Sequence, residues 1–266
     1  MRRAAAGLLL LALASGCGGG TNALDARGPH LPSLAERCGG PAGTKATVGW
    51  FRTSDGVRLD GAVLGNGEKG VVLVHESPAD LCGWVPYARV LAGDGFRVLL
   101  IDLRGFGLSE SPDEPSTCGR FSRDFAAAVS ELKREGADKV FLMGASFGGI
   151  TSMVSGSRLG SRVAGVVSVS GEEQLANSCG DTPSLSAELD ALAAVPKLRA
   201  PFLVLSSRDD GYLLPDQARD LVRRAGSQHK RLVLFPGGEH GWDILDIGPY
   251  HARASRILVA FLHRYG

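Results

Sequence analysis

Several things this sequence lacks narrow it at once. It has no charge excess: 29 Lys and Arg against 28 Asp and Glu leave 29 − 28 = +1. That balance gives no electrostatic reason to expect nucleic acid or an acidic polymer as partner. Cysteine is sparse, at 5 residues, and none stands in a CxxC or Cys/His spacing, so no metal site is expected. No cofactor is expected either. The apolar run Ala4–Ala14 falls short of the about 20 residues that a membrane-spanning helix needs. There is no internal repeat and no sign of a second domain. Glycine is plentiful, at 37 residues, mostly in loops and in the leader. The 266 residues suit one α/β domain, for which roughly 250 is an ordinary upper size.

The first residues read as an export signal. Arg2 and Arg3 precede the apolar run, and Ser15-Gly16-Cys17 follows it; a basic start, a short apolar segment and small residues make a secretory leader. The pattern resembles the bacterial lipobox, in which the Cys becomes the lipid-modified first residue of the mature chain. Ala14 stands where that pattern prefers Leu, with Leu13 one place early. Residues 1–16 are therefore expected as signal peptide, 17–46 as a lipid-anchored tether rich in Gly, Pro, Ala and Ser, and 47–266 as the folded domain. Plain secretion is the alternative. Setting Cys17 aside leaves Cys38, Cys82, Cys118 and Cys179, an even number that suggests disulfides in an exported protein. Cys82 and Cys118 both follow strand-like runs expected to end at one sheet edge, which favours that pair.

From Thr47 the pattern changes. Val48–Arg52 and Val57–Leu64 alternate as a half-buried hairpin around Ser54-Asp55-Gly56. Dense apolar runs follow at Val71–His75, Phe96–Asp102, Lys139–Met143, Arg162–Ser170, Pro201–Ser206 and Lys230–Phe235. Runs without alternation are what strands buried on both faces look like. Helices are predicted at Trp84–Gly93, Phe121–Gly136, Phe147–Gly160, Asp216–Gly226 and Pro249–Tyr265. The fold class is therefore α/β, a mostly parallel eight-stranded sheet with helices on both faces.

The strongest chemical signal is Gly144-Ala145-Ser146-Phe147-Gly148-Gly149, directly after the strand Val140–Met143. GxSxG means little alone, but between a buried strand and a helix it places a serine on a sharp turn that lifts its hydroxyl clear of the sheet. The backbone N–H of Phe147, at the start of the following helix, is then one oxyanion donor. A serine needs a base to take its proton. Of 6 histidines, His30 lies in the tether, His229 precedes a strand, and His251 and His263 fall in the terminal helix. His240 follows the last strand in the Gly-rich loop Gly238-Glu239-His240-Gly241, from which an imidazole can reach over Ser146.

On these motifs, with Asp102-Leu103-Arg104-Gly105-Phe106-Gly107-Leu108-Ser109 after the second parallel strand, residues from about 47 to 266 resemble the α/β-hydrolase superfamily, in the branch of dienelactone-hydrolase-like and monoglyceride-lipase-like enzymes. The resemblance implies the order Ser, Asp, His along the chain, with Asp210 as the acid. Asp209 is the neighbouring alternative and Glu172 and Glu173 more remote ones. It implies that His75 belongs to the oxyanion segment and that the N–H of Ser77 is the second oxyanion donor. Glu76 departs from the pattern, standing where the family commonly has Gly; its carboxylate points either to the pocket or to solvent. Asp102 reads as structural, anchoring the Arg104-Gly105 turn. Trp84, Tyr87 and Phe106 read more readily as core than as pocket, whereas Tyr212, beside the acid, is a better pocket residue.

The interval from Ser170 to Pro201 spans 201 − 170 = 31 positions, part of it helical near Ser186–Ala194, so no long apolar cap is encoded and the lid is minimal. The expected function is a serine hydrolase acting on small or medium acyl esters through an acyl-enzyme. A related peptidase or acyltransferase, or a noncatalytic surface lipoprotein that binds a ligand with the same fold, is the alternative. A small-molecule ester and, through Cys17, the membrane are the expected partners.

Overall fold

The computed structural model describes residues 24, 30–39, 45–112, 120–175 and 187–266. Eight strands form one sheet: β1 (Ala46–Arg52), β2 (Arg58–Leu64), β3 (Lys69–Val74), β4 (Arg97–Ile101), β5 (Lys139–Ala145), β6 (Gly165–Val169), β7 (Phe202–Ser207) and β8 (Lys230–Phe235). Their order is β1-β2-β4-β3-β5-β6-β7-β8. β1 and β2 pair antiparallel, as does β2 with β4, and every pairing from β4 through β8 is parallel. The hairpin turns at Gly56, whose φ of 86° suits a residue without a side chain.

The helices are α1 (Leu34–Cys38), α2 (Val85–Gly93), α3 (Phe121–Arg134), α4 (Phe147–Leu159), α5 (Ala191–Ala194), α6 (Pro215–Arg224) and α7 (His251–Tyr265). The apolar runs show no alternation because both sheet faces are covered. Val72 and Val74 join the core with Phe125 and Val129 of α3 and Ile150 and Met153 of α4. Val71 and Leu73, one position away, join the opposite core with Leu91 of α2 and Leu258 and Leu262 of α7. Each strand thus feeds two apolar layers, as a parallel sheet buried on both sides requires.

Two expectations are corrected at the N-terminal end of the domain. The stretch read as tether contains α1, capped by Ser33, whose hydroxyl accepts from Glu36 N–H at 3.3 Å, with Leu34 buried. Residues 31–38 therefore pack on the domain, which begins ahead of residue 47. The short amphipathic turn escaped the sequence reading because five residues carry too little periodicity. Cys82 pairs with Cys38, not Cys118, with Cα atoms 5.2 Å apart. The reason is that the 3-10 turn Leu81–Trp84 carrying Cys82 packs against α1. Cys17, Cys118 and Cys179 lie outside the described residues, as do the leader and positions 176–186 of the expected minimal lid.

Candidate active site

The sheet order sets up the site. The parallel strands β3, β5, β6, β7 and β8 are neighbours in that order, so the segments leaving their C-terminal ends meet along one rim. Those segments carry Glu76 and Ser77, then Ser146, Glu172, Asp210 and His240. Apart from Asp210, all of them line a cavity of about 670 Å³. Asp210 stands behind His240, almost fully buried.

Ser146 sits between β5 and α4 with φ 48° and ψ −115°, a region that a residue with a side chain occupies only under constraint. The constraint is close packing. A Cβ on Gly144 would lie 2.1 Å from the carbonyl oxygen of Gly148, and one on Gly148 would lie 2.3 Å from that of Val74. Only glycine at these positions lets strand and helix approach closely enough to force the turn. Ser146 N–H donates to Val169 O at 2.8 Å, which ties the turn to β6.

Asp210 is held by its own turn. Its Oδ1 accepts Tyr212 N–H at 2.9 Å and Leu213 N–H at 3.2 Å, and its Oδ2 accepts the Ser206 hydroxyl at 3.1 Å. His240 Nδ1 lies 2.9 Å and 3.1 Å from the two carboxylate oxygens, so Nδ1–H donates to Asp210 and Nε2 is left toward the cavity. The described hydrogen bonds of the His240 ring run to Asp210 alone. Burial pushes the Asp210 carboxyl up, but hydrogen bonds from His240 and from Tyr212 N–H outweigh it and hold the group below its ordinary value. His240 is displaced the other way. Burial favours the neutral ring, yet the bond to Asp210 and the charges of Asp210, Glu76 and Glu172 carry it above the ordinary histidine value. The Tyr212 ring leans on the imidazole with centroids 4.5 Å apart.

The structure separates the acid candidates. Asp209 is exposed, with its N–H bonded to Gly237 O at 2.9 Å, and Asp210 takes the imidazole. Glu172 lines the cavity without a hydrogen bond to His240. Ser77 and Phe147 both line the cavity. Phe147 is the first residue of α4, whose leading N–H groups have no partner inside the helix. Ser77 N–H makes no hydrogen bond to another described residue.

His75 does not face the substrate space. It is fully buried, with Nδ1–H donating to Glu76 O at 2.9 Å and Nε2 accepting Leu103 N–H at 3.2 Å. Burial keeps it neutral, below its ordinary value, and it pins the Glu76-Ser77 segment to the end of β4. Asp102 is structural as expected, accepting Leu81 N–H at 2.7 Å and Leu108 N–H at 3.0 Å. Trp84 and Tyr87 are core, Trp84 donating to Val74 O at 2.7 Å. Phe106 does line the cavity, with Tyr212.

Sequence reasoning missed Leu175 and Leu189, apolar walls joined by a backbone bond of 3.0 Å. It also missed a buried charged group at the cavity wall. Arg104 is fully buried and bonded to Asp124 (2.8 Å from Nε) and to Asp55 (2.9 Å from Nη1). Asp55 belongs to the hairpin turn, so no local pattern could have announced that pair. Among the described residues, no cluster of side chains suits a metal ion.

Comparison with known proteins agrees with this layout. Residues 70–197 match a family described as alpha/beta hydrolase fold, and residues 183–242 match one described as serine aminopeptidase, S33. The first span contains Ser146 and the second Asp210 and His240. Epoxide hydrolase 3 of Siraitia grosvenorii is 33% identical over 99 residues, which are 36% of this chain and 30% of that protein. Serine hydrolase BPHL of Homo sapiens is 32% identical over 126 residues, covering 44% of this chain and 42% of that one. The chain thus spans less than half the length of these curated relatives. Among solved structures, a Pyrococcus furiosus esterase superposes with a TM-score of 0.70 at 17% identity, over 87% of this chain and 93% of that one. A monoacylglycerol lipase of Paleococcus ferrophilus gives a TM-score of 0.64 at 21% identity, over 78% and 99%.

Proposed function

Because the chain belongs to the α/β-hydrolase superfamily, we propose that it is a serine hydrolase that cleaves carboxylic esters of small or medium acyl groups through an acyl-enzyme. The observation that carries this reading is the His240–Asp210 pair at 2.9 Å with its free ring nitrogen toward the cavity that holds the constrained Ser146. His240 Nε2 takes the Ser146 proton as Oγ bonds to the ester carbonyl carbon. It returns that proton to the alcohol oxygen as the carbon–oxygen bond breaks. Water repeats the sequence on the acyl-enzyme, releasing the acid and restoring the serine. Asp210 remains ionised throughout, fixing the tautomer and stabilising the imidazolium. Phe147 N–H and Ser77 N–H are the donors for the oxyanion, and losing one such donor costs about 2.7–4 kcal/mol in other enzymes.

The walls favour modest substrates. Phe106, Phe121, Leu175, Leu189 and Tyr212 enclose the cavity beside Ser146, room for a short chain or a ring. The names of the matched families, relatives and solved structures span epoxide, ester and peptide chemistry, so they leave the substrate open. A peptidase or acyltransferase would share the acyl-enzyme step. The leader motif supports a place at the membrane through lipid on Cys17; no described helix is long and apolar enough to cross one.

A fluorophosphonate probe tests the reading. It should label the wild-type protein on Ser146, and Ser146→Ala should abolish both labelling and p-nitrophenyl butyrate hydrolysis. Undiminished hydrolysis by the variant would remove Ser146 as nucleophile. A wild-type protein that neither labels nor turns over would leave the noncatalytic binder.

A further inference from the structure

Glu76 follows β3, next in the sheet to the strand that carries Ser146, and the structure decides which way it points. It lines the cavity with Ser146 and His240. Its Oε2 is tucked against the loop after His240, where a Cβ on Gly241 would lie only 1.9 Å away. That oxygen has no accessible surface and no hydrogen-bond partner. A buried carboxylate oxygen left unpaired is unfavourable by an amount that a protein seldom tolerates without a use for the group.

The neighbours do not neutralise it. Arg104, which shares the cavity wall, has its guanidinium committed to Asp55 and Asp124. The charged and titratable groups acting on Glu76 are His240, which favours its ionised form, and Asp243, which opposes it. Glu172 faces the same cavity from β6 and acts, like Glu76, on His240. His75, on Glu76's own strand end, is buried and turned to the backbone. The cavity wall that holds Ser146 thus also presents the Glu76 carboxylate, among apolar rings, leucines, Glu172 and the committed Arg104, with His240 as the cation-forming group that acts on it.

We propose that Glu76 is a specificity-determining residue, selecting esters that carry a protonated amine near the scissile carbonyl. The inference rests on the acyl-enzyme reading of Ser146 and deepens it by naming a substrate class. An ammonium group in the cavity can donate a charge-assisted hydrogen bond to the Glu76 oxygen that is not buried against Gly241. It also offsets the repulsion that a nearby carboxylate exerts on the developing oxyanion. A neutral ester of the same shape gains neither, and an anionic one adds a second negative charge.

Burial pushes the Glu76 carboxyl up to about 7. A cationic substrate requires the ionised form, so its advantage should grow as pH rises through that value.

The test compares p-nitrophenyl esters of β-alanine and of butyric acid, which differ by an ammonium in place of a methyl group. Wild-type kcat/KM should favour the β-alanyl ester, and Glu76→Gln should lower the ratio of the two by about tenfold or more, the scale of a hydrogen bond to a charged group. The wild-type ratio should rise with pH through the neutral range and be flat in the variant. In a second measurement on the wild-type protein alone, n-propylammonium should inhibit butyrate hydrolysis competitively, more strongly at higher pH. A ratio that Glu76→Gln leaves unchanged, or wild-type preference for the butyrate ester, overturns the proposal while the Ser146 reading stands. Loss of that reading would appear instead as persistent turnover of both esters by Ser146→Ala.

Discussion

Replacing Arg37 by Met should destabilise the fold in a way that depends on pH. The Arg37 guanidinium reaches from α1 to Asp60 of β2 and, at 3.3 Å, to Asp102 at the end of β4; both acid side chains are fully buried. Asp102 also accepts the Leu81 and Leu108 N–H groups, whereas the Asp60 carboxylate has Arg37 as its partner and accepts no backbone N–H. Burial therefore dominates at Asp60 and raises its carboxyl from 3.8 to about 6, against the pull of Arg37.

A carboxyl raised by folding contributes stability below its unfolded value, which is lost as pH rises through the folded one. For Asp60 that window runs from 3.8 to about 6 and amounts to about 3 kcal/mol. Without Arg37 the folded value climbs further. Near pH 8 two buried carboxylates then face each other, and breaking such a pair costs about 3–5 kcal/mol. Near pH 5 Asp60 holds its proton, and the loss should be about half as large. The Cys38–Cys82 bond keeps α1 attached, so the measurement reads the ion pair and not the departure of the segment. Urea unfolding of both proteins at the two pH values is the assay, and at the higher pH the thermal midpoint should fall by on the order of 10 °C. A loss under about 1 kcal/mol near pH 8, or equal losses at both values, would refute the argument. Adding Asp60→Asn to Arg37→Met should recover part of the stability near pH 8 and little near pH 5.

Asp210→Asn should lower kcat by about 10⁴, as in other triads whose acid is neutralised, and Asp209→Asn by far less; the opposite ranking in steady-state kinetics would reverse the assignment. Since His240, as the proposed base, accepts a proton only when neutral and its partners raise its pKa, kcat/KM for a neutral ester should rise with an inflection above the ordinary histidine value of 6.5, and Glu76→Gln should move it down. An inflection at or below the ordinary value would contradict the pairing of His240 with Asp210, Glu76 and Glu172. The mature chain should begin at lipid-modified Cys17 and partition with membranes; an unmodified N-terminus in mass spectrometry would leave plain secretion.

The elements that could be read from sequence are those whose signal is local. Six apolar runs and a turn at Ser54-Asp55-Gly56 suffice for the strands, because a strand buried on both faces needs every residue apolar. Ser146 and His240 declare themselves by small residues packed around a turn and by position after a strand. Asp210 and Asp209 are adjacent and chemically alike, and what separates them is the burial of one carboxylate under two backbone N–H groups, a property of the folded loop. The Cys38–Cys82 bond and the Arg37 ion pairs join α1 to parts of the chain tens of residues away, and nothing near either end marks them. Glu76 was conspicuous as a residue type, but only the placement of Gly241 shows why its carboxylate turns inward.

The strand order bears on when the proposed nucleophile becomes reactive. Ser146 is fixed by β5 and α4, at the middle of the sheet, while the proposed acid and base, Asp210 and His240, follow β7 and β8, the last two strands in sequence and the outermost on that edge. A chain emerging from synthesis displays its serine long before either partner exists, and through that interval the hydroxyl is no better a nucleophile than any other alcohol. In the proposed mechanism, docking of the final strand arms it. Under that mechanism, partly folded or C-terminally shortened chains should be chemically silent, and reactivity toward a phosphonate probe should report completion of the sheet's far edge as directly as it reports the serine.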